Sequence, residues 1–193
     1  MRVSRARQPA VCFLATALLA LLLACGSSDS AGPEAAPPSS EGLSLRLELP
    51  DAWQAAGRAD VGALFRYSQA PDVQLHLSVH REPPSAPARN AGELVAALTA
   101  QLQGKGVEDV VPRVTAAGAA MVAFSEQVES QGRQLFTRRW VMVRPEESGQ
   151  WLRADVVLGM PAAWRSQPAA GQVIASLDSR LLRAKIVSGA GES

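Results

Sequence analysis

The chain has 193 residues, of which 47% are hydrophobic, 19% charged and 5% aromatic. That is enough apolar material for a core, so wholesale disorder is excluded, and the length fits one domain. The formal net charge is +1, but Arg2, Arg5 and Arg7 fall in an N-terminal segment expected to be removed, leaving sixteen basic and eighteen acidic side chains. Such a chain lacks the clustered cationic excess that bulk nucleic-acid binding needs, so no nucleic-acid partner is expected.

The N-terminus reads as a secretory signal over residues 1–24. A basic segment precedes the uncharged apolar run Val11–Leu23, and small residues close it beside Cys25. The run falls short of the roughly 20 apolar residues a comfortable membrane helix needs. Leu22-Leu23-Ala24-Cys25 resembles the lipobox of bacterial lipoproteins. That resemblance implies cleavage before Cys25 and a diacylglyceryl group on its sulfur, so the expected membrane contact is the lipid on Cys25. Gly26 and Ser27 follow, with no Asp. In a diderm host the family pattern then implies the outer membrane, facing the periplasm. The other cysteine, Cys12, lies in the discarded run. No disulfide, thiolate nucleophile or cysteine metal site is therefore expected in the mature chain.

Residues 25–42, rich in Gly, Ser, Pro and Ala, read as a disordered tether, and 188–193 as a frayed tail. The domain is expected over 43–187. Leu43–Leu49 alternates strictly, and Pro50-Asp51 ends it, which predicts a half-buried strand. Val61–Ser68 is a weaker strand. Val73–His80 alternates again, with Val73, Leu75, Leu77 and Val79 inward and Gln74, His76, Ser78 and His80 outward. Arg81–Arg89 is a Pro-rich loop. Asn90 and Glu93 fit a capping box, opening a helix with its stripe at Ala91, Leu94, Val95, Leu98 and Leu102. Strands follow at Val107–Val114, Ala119–Glu129, Gln134–Arg144 and Trp151–Leu158, with turns at 130–133 and 145–149. Pro161–Gln167 suits a helical turn. Pro168 suits the first turn of a last helix, striped by Ala170, Val173, Ile174, Leu177 and Leu181.

Short turns between consecutive strands imply antiparallel pairing. The class is therefore α+β: an antiparallel sheet of six or seven strands with two main helices expected on one face. Leu49-Pro50-Asp51-Ala52-Trp53, the strand–helix order and Val173-Ile174-Ala175-Ser176-Leu177 resemble the PsbP-like superfamily, including the DcrB-type envelope lipoproteins. Ala52 stands where that family usually has glycine. Its members are mostly accessory or binding proteins, so the resemblance implies fold more than function.

No catalytic, cofactor-binding or metal-ligating residue is expected. His76 and His80 share a strand face about 13 Å apart, too far for one zinc ion. No serine sits in a nucleophile elbow. Gly104-Lys105-Gly106 lacks the rest of a phosphate loop and reads as a helix stop. Glu108-Asp109 and Glu146-Glu147 read as solvated. Arg133, Arg138, Arg139, Arg144 and Arg153 fall on one hairpin and the strand after it. They read as a solvated outer sheet face, with a basic stripe as the sharper alternative. Arg138 and Arg139 must point to opposite faces. Trp53, Trp140, Trp151 and Trp164 are expected in the core, with Trp140 and Trp151, flanking the Pro145 turn, as candidate cross-strand neighbours; an exposed aromatic patch for a partner or ligand is the sharper alternative. The expected function is a non-enzymatic, membrane-anchored envelope module acting through a protein partner. The alternative is a module holding a small apolar or lipid-like ligand between helices and sheet, in a pocket lined by Trp and Leu.

Overall fold

Period-two alternation dominates the chain, and it builds a sheet. The computed structural model describes residues 42–188, apart from 60, 61, 85–87, 89 and 131. The signal segment 1–24, Cys25, the tether up to residue 41 and the tail after Ser188 lie outside the described residues. In chain order the elements are β1 (Leu43–Arg46), β2 (Trp53–Ala59), β3 (Gly62–Tyr67), β4 (Ala70–Glu82) and α1 (Ala91–Leu102). Then come β5 (Glu108–Val114), β6 (Ala120–Ser130), β7 (Arg133–Pro145), β8 (Trp151–Pro161), α2 (Ala162–Arg165), α3 (Pro168–Leu181) and β9 (Lys185–Ser188).

Seven strands form one antiparallel sheet in the order β2-β3-β4-β8-β7-β6-β5. It is two meanders, β2-β3-β4 and β5-β6-β7-β8, joined where β4 pairs with β8 from Gln74↔Gly159 to Glu82↔Trp151. The α+β class and the strand number agree with the sequence reading. β2 was not foreseen: Trp53-Gln54-Ala55-Ala56-Gly57-Arg58-Ala59 has no alternation to read. β1 is shorter than its alternating run, and it pairs with β9, so the two form a separate ribbon. Ser188, expected in the tail, ends β9 and faces Leu43.

The two main helices take opposite faces of the sheet, which corrects the expectation that they share one. The β6–β7 register shows it. Ala120 and Val122 face Val143 and Val141, whereas Met121 and Ala123 face Met142 and Trp140. The first set packs with Leu94 and Leu98 of α1. The second packs with Ala170, Val173, Leu177 and Leu181 of α3, and with Leu43 and Ile186 of the ribbon. The physical reason lies in Ala120–Ser125, where six consecutive residues are buried. An apolar run without alternation marks a strand segment covered on both sides.

Local signals place both helices. The Asn90 side chain accepts a hydrogen bond from the Glu93 amide at 3.0 Å, capping α1 as expected. Pro168 occupies the first turn of α3. The β7–β8 turn closes through Gly149 at φ +80°, where the Glu146 amide donates to the Gln150 carbonyl at 2.8 Å.

Candidate functional site

α1 lies over β5 and β6, at one end of its sheet face. Towards β8 and β4 the same face carries polar side chains. Register puts Arg153, Asp155 and Val157 of β8 beside His80, Ser78 and His76 of β4. It also puts Arg139 of β7 beside Val157 and Phe124. Each position is dictated by the alternation of its strand.

These groups form a lattice of ion pairs. Arg153 is bidentate to Asp155, with Nε–Oδ2 at 2.8 Å and Nη2–Oδ1 at 2.9 Å. Its Nη1 reaches Glu82 at 3.4 Å, and His80 Nε2 lies 3.8 Å from the same carboxylate. Arg139 pairs with Glu126 at 3.3 Å and lies over the Phe124 ring. Burial works against the Arg153 charge, but Asp155 and Glu82 outweigh it and hold its pKa above the usual guanidinium range. His76 is the exception in this lattice. Its Nε2 is buried without a hydrogen-bond partner. Burial pushes the imidazole pKa down, Asp155 opposes that, and Arg139 adds to it. His80 keeps the solvent-facing position expected of it, with 40% of its side chain exposed, whereas His76 is half-buried.

The five arginines do not form one basic stripe. Arg139 and Arg153 share the lattice face, each with an acidic partner. Arg138 points the other way and is only 5% exposed. It donates to the Asp109 carbonyl at 2.9 Å and to Ser125 Oγ at 3.1 Å. Arg144 lies on the Arg138 side, at the far end of β7, and Arg133 is exposed beside the β6–β7 turn. Glu146 is held by Arg81 at 3.0 Å rather than being simply solvated. The hydrogen bonds from Arg81 and Ser148 keep its carboxyl below the usual range. Trp140 and Trp151 are both core residues but are not cross-strand neighbours. Trp140 faces Ala123 and Val156, and Trp151 faces Pro145 and packs in the α1 cluster.

On the α3 face an apolar cleft of about 140 Å³ opens between the β1 segment and strands β3 and β4. Leu43, Leu45, Leu47 and Leu49 form one wall; Ala63, Phe65, Leu77 and Val79 form the floor. It contains no Trp, and it lies under the ribbon rather than under a helix, so it differs from the pocket expected for an apolar ligand. A second cleft of about 240 Å³ lies between Trp53 and Tyr67 on one side and Gln172, Val173 and Ser176 of α3 on the other. Alternation had marked each leucine of the first cleft, but nothing local shows that β1 stands off from β3. Among the described residues no three His, Cys, Asp or Glu side chains are placed to hold a metal ion. No described helix is long and apolar enough to cross a membrane.

No family model and no curated protein sequence matches the chain. Its fold is shared with LpqN. That Mycobacterium tuberculosis protein, described as involved in cell envelope biogenesis, superposes at a TM-score of 0.54 with 10% identity, over 79% of this chain and 90% of LpqN. A Bacteroides thetaiotaomicron protein aligns at a TM-score of 0.49 with 9% identity, over 77% of this chain and 46% of its own. At such identity the LpqN likeness is one of fold.

Proposed function

We propose that this chain is a lipid-anchored cell-envelope protein whose PsbP-like domain is non-catalytic and works as an accessory, protein-interaction module. The lipid on Cys25 holds it to the membrane; in a diderm host this is the outer membrane, with the domain facing the periplasm. The observation that carries the reading is the lattice of Glu126–Arg139, Asp155–Arg153–Glu82 and His80 pairs across β6, β7, β8 and β4. It is a sheet face of alternating, mutually held charges, not a concave site. Such a face selects a partner by charge complementarity and gives association that weakens with salt. The fold shared with LpqN, a protein of envelope biogenesis, supports the same setting by analogy.

The test is in-cell crosslinking of the tagged protein followed by mass spectrometry, beside Cys25→Ala and Ser78→Arg variants. Ser78 lies within the lattice face, and its replacement adds bulk and charge without removing an ion pair. A specific envelope partner, lost in both variants, is the expected result. No specific partner, or one that Ser78→Arg leaves untouched, overturns the reading of this face.

A further inference from the structure

We propose that the cleft between β1 and strands β3 and β4 binds an uncharged alkyl chain. This is independent of the contact face, which lies on the other side of the sheet.

The lining fixes the chemistry. Its side chains are Leu43, Leu45, Leu47, Leu49, Ala63, Phe65, Leu77 and Val79, with Ser44 as the one polar side chain and Gly62 completing it. No charged group is present to neutralise a carboxylate or phosphate inside, so the inserted portion is hydrocarbon. The size fits as well. A closed cavity of about 150 Å³ lined by Leu, Ile and Phe admits benzene-sized apolar molecules. This cleft, at about 140 Å³, is comparable in size and partly open to solvent.

The walls belong to two separately hydrogen-bonded sheets. The floor strands β3 and β4 are paired on both sides within the seven-stranded sheet, whereas β1 pairs with β9 in the ribbon. The wall is therefore held to the floor by side-chain packing, not by a shared ladder. Separation of wall and floor admits a guest without breaking a strand pair.

Two sources can supply such a chain. Seventeen residues separate Cys25 from Leu43, where the cleft wall begins. At up to about 3.3 Å per residue, seventeen residues are long enough for an acyl chain on Cys25 to be one such source. A free lipid of the envelope is the other source.

The experiment is methyl NMR on the full chain carrying Cys25→Ala, titrated with octan-1-ol and, as a control with two polar ends, hexane-1,6-diol. Octan-1-ol is expected to shift the methyl signals of Leu45, Leu77 and Val79 saturably, and hexane-1,6-diol to leave them in place. Ala63→Leu fills the floor and is expected to weaken octan-1-ol binding at least tenfold while the thermal midpoint holds or rises. If Ala63→Leu fails to fold, Val79→Leu replaces it as the filling variant. Shifts that do not saturate, that fall outside the cleft, or that survive filling overturn the proposal. The source is read from the lipidated protein without additive, its modification established by intact mass. Methyl signals already at their bound positions assign the chain to Cys25; signals at their free positions assign it to a separate lipid.

Discussion

Arg138 donates from Nη1 to the main-chain carbonyl of Asp109, 2.9 Å away on the edge strand β5, reaching past β6. Asp109 has φ +50° and sits where the β5–β6 register shifts between Glu108 and Val111. Asp tolerates this left-handed region better than most non-glycine residues, and the guanidinium bond fixes its carbonyl there. Burial depresses the pKa of Arg138, Asp178 and Asp109 act against that, and Arg165 adds to it. The side chain also lies 5.8 Å from the Trp140 ring, whose Nε1 donates to Asp178.

Arg138→Met is therefore expected to leave the Asp109 carbonyl and Ser125 hydroxyl without their donor, at a cost of about 1–3 kcal/mol. Arg139→Met, its neighbour on the partly exposed lattice face, is expected to cost less, about 1 kcal/mol. Urea unfolding of both variants checks the ranking. Hydrogen exchange adds the location: protection should fall over β5 in the first variant and stay unchanged there in the second.

His76 gives the protein a pH dependence of known sign. Its folded-state pKa lies below the ordinary 6.5 because burial disfavours the charged ring. Above pH 6.5 it is neutral in both states and contributes nothing to the slope. As pH falls below 6.5 the unfolded chain takes up the proton first, so stability drops. Denaturation midpoints from pH 8 to 5 should decline in the wild type, and less steeply in His76→Gln. Equal slopes would contradict the assignment.

Glu146 acts in a lower window. Its folded-state pKa lies below 4.5, with the Arg81 hydrogen bond as the largest cause. The stabilisation it brings is complete above pH 4.5 and is lost as pH falls through the folded value. Arg81→Met should reduce this acid-side loss, with the Ser148 hydrogen bond keeping part of it, while leaving the His76 window in place. The same pH series, carried to pH 3, reads both.

Gly62 and Gly159 should respond unequally to alanine. A Cβ on Gly62 would come 2.0 Å from the Leu77 carbonyl oxygen, and backbone must move to admit it. A Cβ on Gly159 meets nothing within 4 Å. Gly62→Ala is expected to cost about 3 kcal/mol or more by overpacking, and Gly159→Ala to stay within about 0.5 kcal/mol. Thermal midpoints of the two variants make the comparison.

The contact lattice was half legible. Alternation in Val73–His80 put His76, Ser78 and His80 on the polar side, where they lie. Opposite facing of Arg138 and Arg139 followed from strand geometry alone. Which of the two enters the core did not follow, because both sit between residues of similar polarity. Nor did the partners, since Arg153 meets Glu82 across 71 positions of chain. The apolar cleft was hidden for the same reason: its wall and floor are each ordinary strands.

Read alone, the sequence determined what depends on a few consecutive residues. The strands β4, β6, β7 and β8, the capped helix α1, the Pro-started helix α3 and the inward set of each strand all follow from period, caps and turns. Backbone geometry dictates these locally, so a short window contains the whole cause. The tertiary structure alone decided that β4 joins β8, that β1 leaves its alternating neighbours for β9, and that α1 and α3 cover opposite faces. Those outcomes are set by competition among distant surfaces for burial, and no stretch of chain holds both competitors. β2, an edge strand with little apolar pattern, formed because β3 offered it a ladder.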